Sequence, residues 1–428
     1  MKGRFGVWMV AVCTAMPLMG QTTAPLDQEV EPAPLVDAIL MLQGRLEAGE
    51  VELAFDPVKG WLPALLTELD VPVASQVLIF SRTSLQTDLI APWTPRAVYF
   101  NDDVYLGWVP ESPIVEIAVA DPAGAAAFYT LAQDPNQAPV FQRESSTCLM
   151  CHESRSVTGG PPGFIVRSVL TDRLGYPMTP LHEGSTDDRT PFEERFGGYY
   201  VTGSHATPGH AGNVYAPVMN HDITDKRGYV SEVDLQAGGG VLALEGRFDL
   251  SPYATPHSDL VALMVLTHQA HVHNLISEAR EVGDAALLTV QRSGSLSASR
   301  LQAVEGAAER LIRSMLFSGE APLPGPIAGT SDFVEVFAGR GPFDAQGRSL
   351  REFDLDGRLF RYPMSFLVYS EAFRSLPVLV RTTFFKRLDD VLSGRDDGPD
   401  WAHLDDDTRV AIYEILEATV PEFASLER

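Results

Sequence analysis

Cys148-Leu149-Met150-Cys151-His152 is the stretch of this chain whose residue types and spacing are set up for chemistry. Two thiols three positions apart, followed at once by an imidazole, form the attachment pattern of a covalent c-type haem. The thiols add to the two vinyl groups of one haem, and the adjacent histidine lies under the iron as proximal ligand. With 3 Cys and 10 His in 428 residues, chance would place this pattern in about one such chain in two thousand, so the haem reading ranks first. Three other uses of the same residues stand beside it. One is a pair of buried cysteines next to an unrelated histidine. Another is a thiol–disulfide oxidoreductase using Cys148 and Cys151, which wants the first cysteine at a helix N-terminus where its pKa falls. Ser146 and Thr147 could cap such a helix, but the Gly/Pro run over 159–163 ends it quickly and no βαβ pattern surrounds it. The last is structural zinc with two further histidines, a tetrahedral clip that does not call for a Cys-His adjacency.

The sixth iron position decides what a haem here does. Met178, Met219 and Met364 are candidate thioethers, although methionine is commonly core filler. His182, His205 and His210 follow the motif on expected loops. His268 and His271 share a helical stripe with Met264 and Leu275, whereas His273 points elsewhere. Either of the pair is a candidate distal iron ligand or acid–base group. Arg155, Arg167, Arg189 and Arg195 are candidate partners for the haem propionates, competing with surface ion pairs to Asp187, Asp188, Glu193 and Glu194. The segment over 187–210, dense in Arg, acid, aromatic and His, reads as a loop that lines a site or as a salt-bridged surface loop. If the protein is an enzyme, the catalytic candidates are His205, His210, His268, His271 and Arg195.

The elements that hold these residues change character along the chain. Helical spacing over 35–46 and 61–69 gives way to short apolar or alternating runs at 77–80, 97–100, 104–109, 114–119 and 126–131. Asn101-Asp102-Asp103 and Pro110-Glu111-Ser112-Pro113 punctuate them, which predicts an antiparallel sheet leading through Phe141-Gln142-Arg143 to the motif. A strand over 164–171 and a return strand from Tyr176 follow. From Pro256 the chain turns helical. Ser258 and Asp259 are expected to cap a helix ending near Ala279, followed by helices over 299–317, 365–374, 378–392 and 407–419, with a Pro/Gly connector over 321–329. The expected fold is α+β, with a β-rich N-terminal half carrying the haem segment near its end and a helical C-terminal half. The expected regions are a signal peptide at 1–20, a linker at 21–34, a β-rich haem-binding region at 35–255 and a helical region at 256–428 packed on it.

Composition narrows the setting. Hydrophobic residues at 45% and charged residues at 21% describe a globular chain. A formal net charge of −25 argues against nucleic acid as partner; an acidic surface could steer a basic redox partner but is more often just a soluble surface, and the expected partner is a redox protein or a small-molecule substrate. Lys2 and Arg4 precede an apolar run over 7–19, a secretory signal pattern with cleavage expected after Gly20. Cys13 falls inside that run and Val12 before it is not small, unlike a lipoprotein signal. Removal of the signal leaves Cys148 and Cys151 as the cysteines of the mature chain, expected in the periplasm or otherwise exported. No later stretch is long and apolar enough for a membrane span.

Beyond the pentapeptide, several runs carry a resemblance. They are Ser-Arg-Thr-Ser-Leu-Gln at 81–86, Tyr99-Phe100-Asn101-Asp102-Asp103-Val104-Tyr105, the run from Pro191 to Gly203 and the helix of His268. Together they resemble a family of large exported bacterial monohaem c-type cytochrome-like proteins without established activity. The likeness covers most of the mature chain and implies one co-evolved unit with one covalent haem c, but it supplies no catalytic residues. The chain lacks the compact helical pattern of small cytochromes c, which puts the usual His/Met ligation in doubt. The functional expectation is electron transfer through one haem. The alternatives are a peroxidase-like or small-molecule haem c oxidoreductase with an open distal site, a haem-based sensor, and the thiol–disulfide oxidoreductase.

Overall fold

Alternating apolar side chains send every second residue of a strand to the opposite face, and from Val77 to Ala132 this builds a sheet buried on both sides. The computed structural model describes residues 36–154, 158 and 160–426; the expected signal, the linker and Arg155 lie outside them. Two helices open the described chain, α1 (Ala38–Glu47), capped by Asp37, and α2 (Leu62–Glu68). Next come β1 (Val77–Ile79), β2 (Arg96–Phe100), β3 (Val104–Trp108), β4 (Ile114–Ala120), β5 (Ala126–Ala132) and β6 (Phe141–Arg143). They form an antiparallel meander. The short strand β9 (Tyr199–Tyr200) joins the far side of β1, giving a seven-stranded sheet in the order β6-β5-β4-β3-β2-β1-β9. The β2–β3 connection is an Asx turn in which the Asn101 side-chain Oδ1 accepts from the Asp103 and Val104 amides. Buried Arg351 pairs with Asp102 of that turn and ties it to the C-terminal half.

α1 and α2 cover the face made by Leu78, Tyr99, Leu106, Trp108, Ile117 and Tyr129. The opposite face presents Phe100, Tyr105, Ala118 and Phe128 in one cross-strand row. Beside it runs a second row, Val98, Gly107, Glu116 and Thr130. This second face carries the motif helix α3 (Leu149–His152) and merges with the helical core. Between motif and helices lie the hairpin β7 (Val169–Thr171) and β8 (Pro177–Pro180), β10 (Gly203–Ser204) and the short α4 (Lys226–Tyr229). The helical half comprises α5 (Leu260–Ser293), α6 (Ala298–Met315), α7 (Phe333–Ala338), α8 (Glu371–Arg374), α9 (Val378–Leu392), α10 (Asp406–Thr419) and α11 (Pro421–Ala424). β11 (Ala328–Gly329), inside the expected connector, pairs with β10. No helix among the described residues is long and apolar enough to cross a membrane.

Three sequence expectations are corrected. The strand expected over 164–171 is regular only at β7, because the Phe164 backbone is hydrogen-bonded by an asparagine side chain rather than by a neighbouring strand. The helix over 365–374 splits into a 3-10 turn at Phe366–Tyr369 and α8, each started by a serine hydroxyl cap. Helix α5 runs on to Ser293 instead of ending near Ala279, and Asp259 alone caps its first turn, while the Ser258 hydroxyl binds the backbone of Tyr200 and Leu78.

Gly283 does not break α5, because it is the point where α9 comes close. A Cβ there would stand 2.6 Å from Val380 Cγ2 and 2.8 Å from Pro377 Cγ. Alanine is better than glycine in a helix by about 1 kcal/mol, but overpacking against a stiff proline ring costs about 1–3 kcal/mol. Gly283→Ala is therefore expected to destabilise the fold by about 1–2 kcal/mol, read as a lower urea midpoint at unchanged slope.

Candidate haem attachment site

The edge strand β6 ends at Arg143, and five residues later Cys148 stands at the N-cap of α3. α3 is a single turn, so Cys148 and Cys151, three residues apart, lie on one side of it. Cys148 is half-buried against the helical core and Cys151 is exposed. Met150 is 79% exposed, so one edge of the motif faces solvent. Both thiols are free. Burial, then the nearby Glu144 and Glu116 carboxylates, push the Cys148 thiol up to about 11.

His152 is held from two sides. Its ring packs on Phe128 of β5 with centroids 4.4 Å apart. Its Nδ1 lies 2.7 Å from the Gly163 carbonyl oxygen. A carbonyl only accepts, so Nδ1 carries the proton and donates, leaving the Nε2 lone pair free for a metal. Burial lowers the His152 pKa and keeps the imidazole neutral, as a ligand must be; the Gly163 carbonyl acts in the opposite direction. The Gly163 amide in turn donates to the His152 carbonyl at 3.0 Å.

The C-terminal end of the Gly/Pro run is anchored to α5. Asn274 of α5 accepts from the Phe164 amide at 2.8 Å and donates to the Phe164 carbonyl at 2.9 Å. That two-point clamp fixes the residue next to Gly163. A Cβ on Gly163 would meet Asn274 Oδ1 at 2.2 Å, so only glycine allows the approach. The path runs from Asn274 through the Phe164 backbone and the Gly163 carbonyl to the His152 ring. Asn274 gives one signal in the sequence, a polar residue amid an apolar helical stretch, and the neighbouring histidines draw attention away from it.

The other candidates are engaged elsewhere. His268 is fully buried, with Nδ1 3.4 Å from Asp188 Oδ1 and Nε2 2.9 Å from Ser365 Oγ, stacked on Phe317 at 4.2 Å. The order Asp-His-Ser is that of a hydrolytic triad. Here all three groups are closed off from solvent and Ser365 caps the 3-10 turn, so the cluster joins the 187–190 loop, α5 and the C-terminal half. His271 contacts Arg189 Nη2 at 3.3 Å and Asp187 Oδ2 at 3.7 Å. His273 Nδ1 pairs with the Tyr105 hydroxyl at 2.8 Å, and His182 Nδ1 with Glu194 at 2.9 Å. His205 and His210 lie together, centroids 4.8 Å apart, beside Phe192. Arg195 spends its guanidinium on the Thr190 and Asp188 carbonyls, both at 2.7 Å. Met364 is core, Met178 packs with Leu170 and Ala216, and Met219 Sδ accepts from Arg173 Nε at 3.2 Å. Among the described residues no group of three or more His, Cys, Asp or Glu side chains could hold a bare metal ion. A cleft of about 460 Å³ lined by Phe317, Glu320, Arg358 and His403 includes none of the motif residues.

Burial, reinforced by His205, drives the His210 pKa down to about 3, and burial does the same to His273. Both are neutral in the fold but titrate near 6.5 when unfolded. The unfolded chain therefore binds more protons between about pH 6.5 and 3, and stability falls as pH falls through that window. His210→Asn keeps an acceptor for the Gly212 amide, now 3.0 Å from His210 Nδ1. It should flatten the acid limb of a stability–pH curve measured by urea unfolding.

Comparison with known protein families, curated proteins and solved structures finds no match to this chain.

Proposed function

We propose that this chain is an exported c-type haem protein with a redox function, carrying one haem on Cys148 and Cys151 and serving in electron transfer. The observation that carries the proposal is the His152 Nδ1–Gly163 hydrogen bond, which leaves Nε2 as the one free nitrogen of a half-buried, neutral imidazole held against Phe128. That is the arrangement a proximal iron ligand needs. The two thiols sit on one turn beside it, where they could form thioethers to the same ring system. When bound, the haem supplies a one-electron iron couple. The protein's part is to hold the imidazole, tether the ring, and leave the Cys151 edge at the surface, where electrons can pass to a partner. A net charge of −25 suits a cationic partner steered by long-range attraction. Export rests on the signal-like first twenty residues.

Electron transfer is favoured over catalysis because His205, His210, His268, His271 and Arg195, the candidate acid–base groups, are each committed to other partners. A thiol–disulfide role is disfavoured because the Cys148 thiol is pushed up rather than down, so the attacking thiolate would be scarce. Optical titration of protein matured in a host competent for haem c tests the proposal. The expected result is a covalent haem that is reduced and reoxidised reversibly with one electron and turns over no peroxide. Sustained peroxide turnover that disappears on replacing His271 or His268 would move the function to catalysis.

A further inference from the structure

A half-buried ion pair lies on the sheet beside His152. Arg96 of β2 donates from Nη1 to Glu116 Oε2 of β4 at 2.8 Å, with side chains only 18% and 16% exposed. The strand between them contributes Gly107, in register with both Val98 and Glu116. A Cβ there would meet Glu116 Oε2 at 3.3 Å and Arg96 Cδ at 3.7 Å, so the glycine lets the pair lie flat across β3. Glu116 pairs with Thr130, two residues along β5 from Phe128, the residue under His152. Arg96 and Glu116 both act electrostatically on His152, and Glu116 also acts on Cys148.

The pair is incomplete. Arg96 Nε and Glu116 Oε1 are buried and have no hydrogen-bond partner. A buried donor of that kind is costly and calls for a partner that completes it. We propose that Arg96 is the anchor for a propionate carboxylate of the bound haem, held in place by Glu116. This rests on the haem reading above. A guanidinium that uses Nη1 on Glu116 still offers Nε and Nη2 as a fork, which matches a carboxylate in two-point geometry. Among the described residues, the other arginines near the motif are differently placed. Arg189 is bound to Asp187 and Arg195 to backbone carbonyls. Arg143 is bound to Asp121, and Arg167 is exposed.

The positive charge beside the ring favours the reduced iron, and Glu116 opposes it. Arg96→Gln and Glu116→Gln should therefore shift the midpoint potential in opposite directions. The experiment uses full-length protein matured in a haem-c-competent host, with covalent haem content and potentiometric midpoint measured on each variant. Expected is wild-type haem content throughout, with Arg96→Gln shifted about tenfold toward the oxidised form, 59 mV for one electron. Glu116→Gln should shift toward the reduced form and Arg96→Lys should lie near wild type. Haem-loaded Arg96→Gln with an unchanged midpoint overturns the anchor, as do shifts of the same sign in both glutamine variants. If Arg96→Gln fails to accumulate, an unchanged midpoint in Glu116→Gln overturns it as well. Wild-type protein without covalent haem overturns the haem reading itself and the anchor with it.

Discussion

Replacing both Cys148 and Cys151 with serine is expected to abolish covalent haem attachment while leaving the polypeptide folded. The first half follows from the chemistry, since thioethers need sulfur at both positions and the mature chain has no other cysteine expected. The second follows from placement. Cys151 is exposed, Cys148 is half-buried, and both sit in a one-turn helix at the end of the sheet meander. An S-to-O change there costs within about 1 kcal/mol. The check is a denaturing gel stained for haem beside a thermal melt. Loss of haem with a retained cooperative melt is expected, and each single variant should keep one thioether.

Asn274→Ala is expected to damage both the fold and the support of the motif. It removes both hydrogen bonds to the Phe164 backbone and leaves a buried amide and carbonyl unpaired. At 1–3 kcal/mol for each unsatisfied group the loss is about 3 kcal/mol, and Tm falls on the order of 5 °C. The same clamp fixes the Gly163 carbonyl, so the His152 ring loses its orientation. In haem-loaded protein the variant should show a broadened and shifted absorption spectrum at normal haem content. Asn274→Asp keeps the acceptor for the Phe164 amide but sets a carboxylate against the Phe164 carbonyl, and should fall between the two. A spectrum identical to wild type in a destabilised Asn274→Ala would confine this residue to the fold.

The sheet was legible because its signals are local. Alternation from Val77 to Ala132 and the Asn101 turn act between neighbours in sequence, and the strands appear where the pattern places them. β9 was not legible: two tyrosines pair with β1 across about 120 residues, and no local pattern encodes such an encounter. The run from Phe164 looked like a strand because its side chains are apolar, yet its backbone is satisfied by Asn274 from a helix a hundred residues away. The helix expected to end near Ala279 runs on through Gly283, where α9 crosses close by. The motif stands out in the sequence by the identity and order of its residues, and the structure places Cys148, Cys151 and His152 on one short helical turn. Its support does not stand out in the sequence. Phe128, Gly163 and Asn274 reach the motif only through tertiary contact. Of the histidines that periodicity singled out, His268 lies between Asp188 and Ser365, and His271 lies beside Arg189 and Asp187.

Cys148, Cys151 and His152 are proposed to hold one covalent haem. The most direct test is the intact mass, under denaturing conditions, of wild-type chain produced in a host that attaches haem c to a control protein. The expected result is a single species heavier than the polypeptide by one haem, with neither thiol open to alkylation. A chain at its bare polypeptide mass with two alkylatable thiols, from cells in which the control is fully loaded, would contradict the claim.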